Sequence, residues 1–330
     1  VNAPDARPVS RTTLVVVTLA LFLVWSNTFL AFEVLLAPRT GPAPLDWFTL
    51  TVARFAPVAV ACALWCFAAH PRESWEIVRA HPWRLLACGF LVVPAYNFSL
   101  YHAMQQRVAG PIASLVTTLA PLYLVLLGAA FLGERITLRK AAGLALGFGG
   151  MALIALSRPP GADTRAWQVF EAALAPLAWS VHTVLTRPVA KARSPVLWTC
   201  LVLVVGTLLV LPMVPFAGMP DVVRLGTKEL ALLGYLAFAA TIGGFAVWSW
   251  LLRHLPASTA GLTIFLNPPL TLVSKIALAT LLPASFVVAI SAQEWLGGAV
   301  MLAGVAFAVA GARRPDAAPD DGAGAKRSGM

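Results

Sequence analysis

Read only for apolar and polar positions, the chain is a series of long apolar runs separated by short turns. Runs expected to be helices fall at about 12–36, 48–69, 83–104, 109–132, 139–157, 167–187, 195–217, 229–252, 257–281 and 292–312. Such runs approach the length that crosses the roughly 30 Å hydrocarbon core of a bilayer at about 1.5 Å per residue. The expected fold class is therefore an all-α integral membrane protein with ten transmembrane helices. The first run exceeds the apolar core of a signal peptide and lacks a small-residue cleavage site, so it is read as a retained helix.

One stretch organises the rest. From Ala109 to Gly150 two apolar runs flank a charged turn, Gly133-Glu134-Arg135-Ile136-Thr137-Leu138-Arg139-Lys140. Pro121 falls near the middle of the first run, where a proline removes a backbone donor and is expected to break the helix. In lipid such a break persists where it faces protein or a wet cavity. The second run carries Gly143 and Gly147 in a G-x-x-x-G that admits a close neighbour, followed by Gly150. A weaker copy follows from Ala257: Leu266-Asn267-Pro268-Pro269 answers Leu119-Ala120-Pro121-Leu122, and Gly297/Gly304 answer Gly143/Gly150.

A duplicated unit of five spans enters the membrane with alternate polarity, so the two halves form an inverted repeat. The expected division is 1–157 for the N-terminal five-helix repeat, 158–312 for the inverted C-terminal repeat and 313–330 for a disordered cytoplasmic tail. With the N-terminus inside, the inner segments hold sixteen Lys and Arg and the outer segments six. That bias puts both termini in the cytoplasm of a cell with this protein in its cytoplasmic (inner) membrane.

Composition agrees, with 59% hydrophobic and 12% charged residues. A net charge of +10 would suggest nucleic acid in a soluble chain, but here the basic residues sit in turns, so a lipid bilayer is expected and no nucleic-acid partner. Cys62, Cys66, Cys88 and Cys200 all lie in apolar runs without ligand spacing, so no disulfide, metal or cofactor is expected.

Taken together, Trp25-Ser26-Asn27-Thr28-Phe29, Arg54, the proline-centred fourth run closing on Leu132-Gly133-Glu134-Arg135 and the glycine-spaced fifth resemble an EamA-type member of the drug/metabolite transporter superfamily. The second half echoes them with Trp179-Ser180, Arg187, Trp248 and Asn267-Pro268. The resemblance covers roughly residues 13–312. It implies ten helices in two inverted halves, a central cavity and the movement of small metabolites, often outward. The second half departs from the pattern: Pro121 to Gly143 spans 22 residues and Pro268 to Gly297 spans 29, with no acid answering Glu134.

A substrate site in such a carrier is expected near the midplane on interrupted helices. Ser114, Thr117, Thr118 and Pro121 share one face of the fourth run, and Thr263, Asn267, Thr271 and Ser274 one of the ninth. Tyr96, Asn97 and Tyr101 lie on the third. On the sixth, Glu171, Ala175, Ala178 and His182 align beside Trp179. Trp25, Trp179 and Trp248 would supply flat apolar walls, with Asn27 among the amide groups. The Ser and Thr hydroxyls have an ordinary alternative in bonds to their own helices. Trp47, Trp83, Trp167 and Trp295, near span ends, are assigned to the interfacial belt.

Among ionisable groups, Arg54 is expected to pair with Glu33 at the outer mouth and Lys275 to snorkel, while His182 could take up or release a proton but, as a lone membrane histidine, is more often a neutral hydrogen-bonding residue. Glu134 is expected either to pair with Arg135 or Arg139, or to cap a helix end. The function expected is a secondary transporter for a small organic metabolite, an amino-acid-like or amphipathic solute, exported by alternating access; a homodimer is compatible with this. A lipid-precursor flippase shares the fold. An intramembrane enzyme would need H-E-x-x-H, G-x-S-x-G or paired carboxylates, which the sequence lacks, as it lacks an ATP-binding G-x-x-x-x-G-K-[ST].

Overall fold

Backbone amides in a bilayer have no water to bond, so an apolar run satisfies them internally as a helix. The structure, a computed structural model, describes residues 9–36, 43–106, 116, 118–157, 166–217, 225–281 and 291–310, and no strand occurs among them. In chain order the helices are α1 Arg11–Leu36, α2 Trp47–Ala69, α3 Pro71–Ala80, α4 Pro82–Gln105, α5 Ala120–Leu132 and α6 Leu138–Leu156. Then come α7 Ala166–Ala192, α8 Pro195–Phe216, α9 Thr227–His254, a composite α10, and α11 Ala292–Ala310. Helix α10 runs Ala257–Leu262, tightens to a 3-10 turn at Thr263–Leu266 and resumes at Asn267–Leu281.

Among the described residues, eight of these are long and apolar enough to span a bilayer, which makes the chain an integral membrane protein. Of the two other expected spans, most of the first half of 109–132 lies outside the described residues, which hold α5 over 13 residues, and α7, at 27 residues, carries Glu171, His182, Arg187 and Lys191. Helix α3 was not expected. Pro71 starts it, Ser74 and Ile77 face inward, and Arg79 stacks on the half-exposed Trp75 at 5.1 Å, the habit of an interfacial helix.

The backbone breaks at both expected prolines, on their N-terminal side. Pro121 lies in the first turn of α5, where its missing N–H leaves no partner unmet. The break is just before it, where the Leu119 amide bonds the Val116 carbonyl three residues back. Pro268 likewise follows a tightened turn and opens the last part of α10. Three helices also loosen to π turns, at Trp65–Ala69 in α2, Leu91–Ala95 in α4 and Tyr235–Gly243 in α9.

The glycine pattern forms a seam between α6 and α11. A Cβ on Gly150 would stand 2.4 Å from the Gly297 carbonyl, and one on Gly297 would stand 2.5 Å from that of Gly150. Gly143 meets Ala308 and the Gly304 carbonyl in the same way, so the two backbones touch with no room for side chains. Gly147 instead leaves space for the ring of Phe265 on α10.

Candidate functional site

Helix α7 is the spine of the candidate site. Glu171 lies near its start, Trp179 and His182 near its middle and Arg187 near its end, so the two charges stand about 24 Å apart along the axis.

In the middle, Trp25, Trp179 and Trp248 converge from α1, α7 and α9 with ring centroids 5.4–5.6 Å apart. Phe245 packs 5.3 Å and Tyr96 5.9 Å from Trp179. The Trp25 indole donates to the Ala240 carbonyl at 3.0 Å, in the π turn of α9. Gly244 makes this approach feasible, since a Cβ there would fall 2.2 Å from the indole nitrogen. Trp248 donates to the Thr183 hydroxyl at 3.2 Å. The aromatic residues thus fill the space they were expected to wall. Trp179, Trp248 and Phe245 line, with His182, Trp198 and a Thr199–Ser249 hydroxyl pair, a void of about 10 Å³, at the lower limit for one water.

His182 is buried there. Its Nε2 lies 3.5 Å from the Thr186 hydroxyl, and its Nδ1 has no hydrogen-bond partner.

Beside the cluster lies a buried cation. Arg54 donates from Nε to the Thr241 hydroxyl at 2.8 Å and from Nη1 to the Tyr101 hydroxyl at 2.5 Å, and its guanidinium lies 5.0 Å from the Phe55 ring centroid. Thr241 is the residue after Ala240, so the π turn of α9 receives both Trp25 and Arg54. The expected partner, Glu33, has a side chain outside the described residues, as is Thr117. Tyr101 also packs on Phe32 at 4.8 Å.

Several expected polar contacts serve the chain itself. Asn97 gives its amide to the Val92 and Val93 carbonyls, at 2.8 and 2.9 Å, where Pro94 interrupts the helix; its Oδ1 is buried without a partner. Asn27 donates to the Leu23 carbonyl at 2.7 Å and Thr263 to that of Ala260 at 2.6 Å, so both hydroxyl and amide close turns of their own helices. Asn267 retains a buried Oδ1 without a partner, and Thr271 one turn later reaches the Ser26 carbonyl of α1 at 3.1 Å.

At the far end of α7, Glu134 is held by groups distant in sequence. Gly133 ends α5 in the left-handed region at φ 65°, and the Glu134 amide reaches back to the Gly128 carbonyl at 3.1 Å. This turn carries the carboxylate to the start of α10, where it accepts from the Ala257 amide at 2.7 Å, the Ser258 amide at 3.0 Å and the Ser258 hydroxyl. Arg187 stands 3.0 Å and Lys140 3.7 Å from it, with exposures of 11% and 13% against 7% for Glu134. The cap was expected, but the ion-pair partners are corrected: Arg135 and Arg139 are adjacent in the chain, whereas the turn points the carboxylate inward toward α7 and α10.

Two features escaped the sequence reading. One is the Arg187–Glu134–Lys140 cluster, hinted at only by Arg187 lying in an otherwise apolar register. The other is at the near end of α7, where His102 Nδ1 meets Glu171 Oε1 at 2.7 Å. Both were visible as ionisable residues, but nothing in the sequence paired them.

Similarity to known proteins can now be stated. The model of the EamA-like transporter family matches twice, over residues 12–156 and 166–310. A probable terminal-alkyne amino-acid exporter of Streptantibioticus cattleyicolor is 30% identical over 76% of this chain and 80% of its own. A probable amino-acid metabolite efflux pump of Escherichia coli is 23% identical over 72% of this chain and 77% of its own. A solved crystal structure of a protein 22% identical covers 91% of this chain and 98% of that one with a TM-score of 0.70, and so shares the fold.

Proposed function

The chain belongs to the EamA-like transporter family, and from that premise we propose that it is a secondary carrier exporting small amino-acid-like organic solutes across the cytoplasmic membrane. Both family matches and the names of the relatives point to transport rather than to an enzyme. In this reading ten spans form two inverted halves, 1–157 and 158–312, with both termini cytoplasmic. The halves rock about the middle of α7 so that the site opens to one side and then to the other.

The observation that carries the reading is the pairing of a collapsed aromatic cluster with a buried cation on one π turn. Trp25 and Arg54 from the first half both end on Ala240 and Thr241 of α9. Tryptophan faces attract an ammonium group and cover an apolar side chain. Arg54 faces hydroxyl oxygens and rings rather than a described carboxylate, which suits it to a solute carboxylate. In the collapsed state the aromatic residues stand in for the solute. The acceptors left over on Asn97 and Asn267 and the ring nitrogen of His182 are available when the cluster parts.

Reconstitution tests this. Purified protein in liposomes is expected to exchange labelled amino acids without ATP, and Arg54→Met is expected to abolish exchange of carboxylate-bearing solutes. Absence of both flux and thermal stabilisation across a broad amino-acid and metabolite panel overturns the proposal.

A further inference from the structure

At the near end of α7, a chain of polar side chains crosses from α4. His102 Nδ1 lies 2.7 Å from Glu171 Oε1, Gln106 Nε2 lies 2.8 Å from His102 Nε2, and Gln168 Nε2 donates to Gln106 Oε1 at 3.1 Å. The chain therefore runs from α7 through His102 of α4 and Gln106, the residue that follows α4, back to α7. Trp47 closes one side, its ring 5.7 Å from the imidazole. The pair keeps partial access to the outside, with side-chain exposures of 36% for His102 and 24% for Glu171.

The donors and acceptors fix a polarity. Gln106 Nε2 also lies 3.1 Å from Nδ1, so the order is set by Glu171: an ionised carboxylate only accepts, which makes Nδ1 the donor to it and leaves Nε2 as the acceptor from Gln106. Glu171 Oε2 is buried without a partner. A half-buried carboxylate with an unanswered oxygen favours uptake of a cation. When a proton arrives at Nε2, two donors face each other across 2.8 Å. Gln106 must then turn its carbonyl to the ring, and the bond from Gln168 to that carbonyl breaks.

Among the described residues, the other charges nearby are already committed. Of the elements packed on α4 and α7, α2 brings Asp46, whose carboxylate accepts from Phe48, Thr49 and the Thr49 hydroxyl, and Arg54, which is held by Tyr101 and Thr241. Helix α5 brings no charge between Ala120 and Leu132. The two family matches meet here, α4 lying in one and α7 in the other.

We infer that His102 and Glu171 bind the proton that drives this carrier, and that the proton is read out between the halves through Gln106 and Gln168. The inference rests on the carrier reading above. It moves the proton site from His182, which is buried among aromatic rings, to a pair with solvent access and a counter-charge.

The test uses the full-length protein in liposomes and a mixture of ¹⁴C-labelled amino acids, with and without a two-unit pH gradient in either direction. For one proton per solute such a gradient supports up to about a hundredfold accumulation. Wild type is expected to accumulate label with the gradient. Glu171→Gln and His102→Gln are expected to lose most of that stimulation, and Glu171→Asp to regain part of it. Size-exclusion profiles check folding of each variant. Equal stimulation in wild type and both glutamine variants overturns the inference, as does an equal loss of flux with and without the gradient, or stimulation of wild type by sodium rather than by pH. Absence of any flux in wild type overturns the carrier reading itself.

Discussion

The two ends of α7 solve the same problem with different chemistry. At Arg187 the contact between helices is ionic and closed: Glu134 sits under Arg187, Lys140 and the first amides of α10, nearly shut off from solvent. At Glu171 the contact is made with a histidine and two amides and stays partly open. A desolvated carboxylate with two cations and a helix N-terminus is held by geometry that a proton does not readily undo. An imidazole beside a carboxylate, with two amides and an exposed edge, is held far less tightly. One end is therefore built as a fastening and the other as a sensor, and the aromatic cluster lies between them.

The comparison breaks most visibly at the fastening. Glu134→Ala leaves Arg187 and Lys140 buried without their counter-charge and uncaps α10, with an expected cost of about 3–5 kcal/mol. Thermal unfolding in detergent is expected to show that loss equally at pH 6 and pH 8. A loss that appears at one pH only would mean that this end titrates too. Next in size is Arg54→Met, which removes two charge-assisted hydrogen bonds and is expected to cost about 1.5–3 kcal/mol by denaturant titration.

How much of this was legible in the sequence divides along physical lines. Eight of the ten expected spans were, among the described residues, because an apolar run of sufficient length has few alternatives in lipid. So was the glycine seam, since Gly143, Gly150, Gly297 and Gly304 recur at spacings that align one helix face. The convergence of Trp25, Trp179 and Trp248 followed from their repeated placement, although their collapse onto one another did not. What failed was partnership. Glu134 has two arginines as near neighbours in the chain, yet its hydrogen bonds go to residues 123 and 124 positions away, because Gly133 turns the backbone. Arg54 reaches Thr241 across 187 positions through a π turn that a 3.6-residue period does not reveal. His102 lies in the last turn of α4, and its pairing with Glu171 depends on how α4 lies on α7.

Smaller changes sharpen the contrast. Lys140→Met removes the more distant of the two cations and is expected to cost about 1 kcal/mol, less than loss of Glu134, since Arg187 and the α10 amides remain. At the sensor end, His102→Gln is expected to cost less than about 1 kcal/mol, as befits a partly exposed pair, while flattening the pH response of transport. A stability loss as large as that of Glu134→Ala would make the two ends alike.

The smallest expected effect isolates a background that could be mistaken for the sensor. His81, in the turn between α3 and α4, lies outside the spans, and burial together with Arg84 and Arg193 holds its imidazole below the usual value of 6.5. The unfolded chain therefore takes up this proton before the folded one does. Above pH 6.5 both forms are neutral and His81 contributes no slope; as pH falls below that value the unfolded state gains, and stability declines until the folded imidazole protonates as well. In a His102→Gln background, a gentle acid-side decline in unfolding temperature is expected to remain and to vanish on adding His81→Gln. If the decline survives both substitutions, another group is titrating, and the acid sensitivity of the fold has a source outside these two histidines.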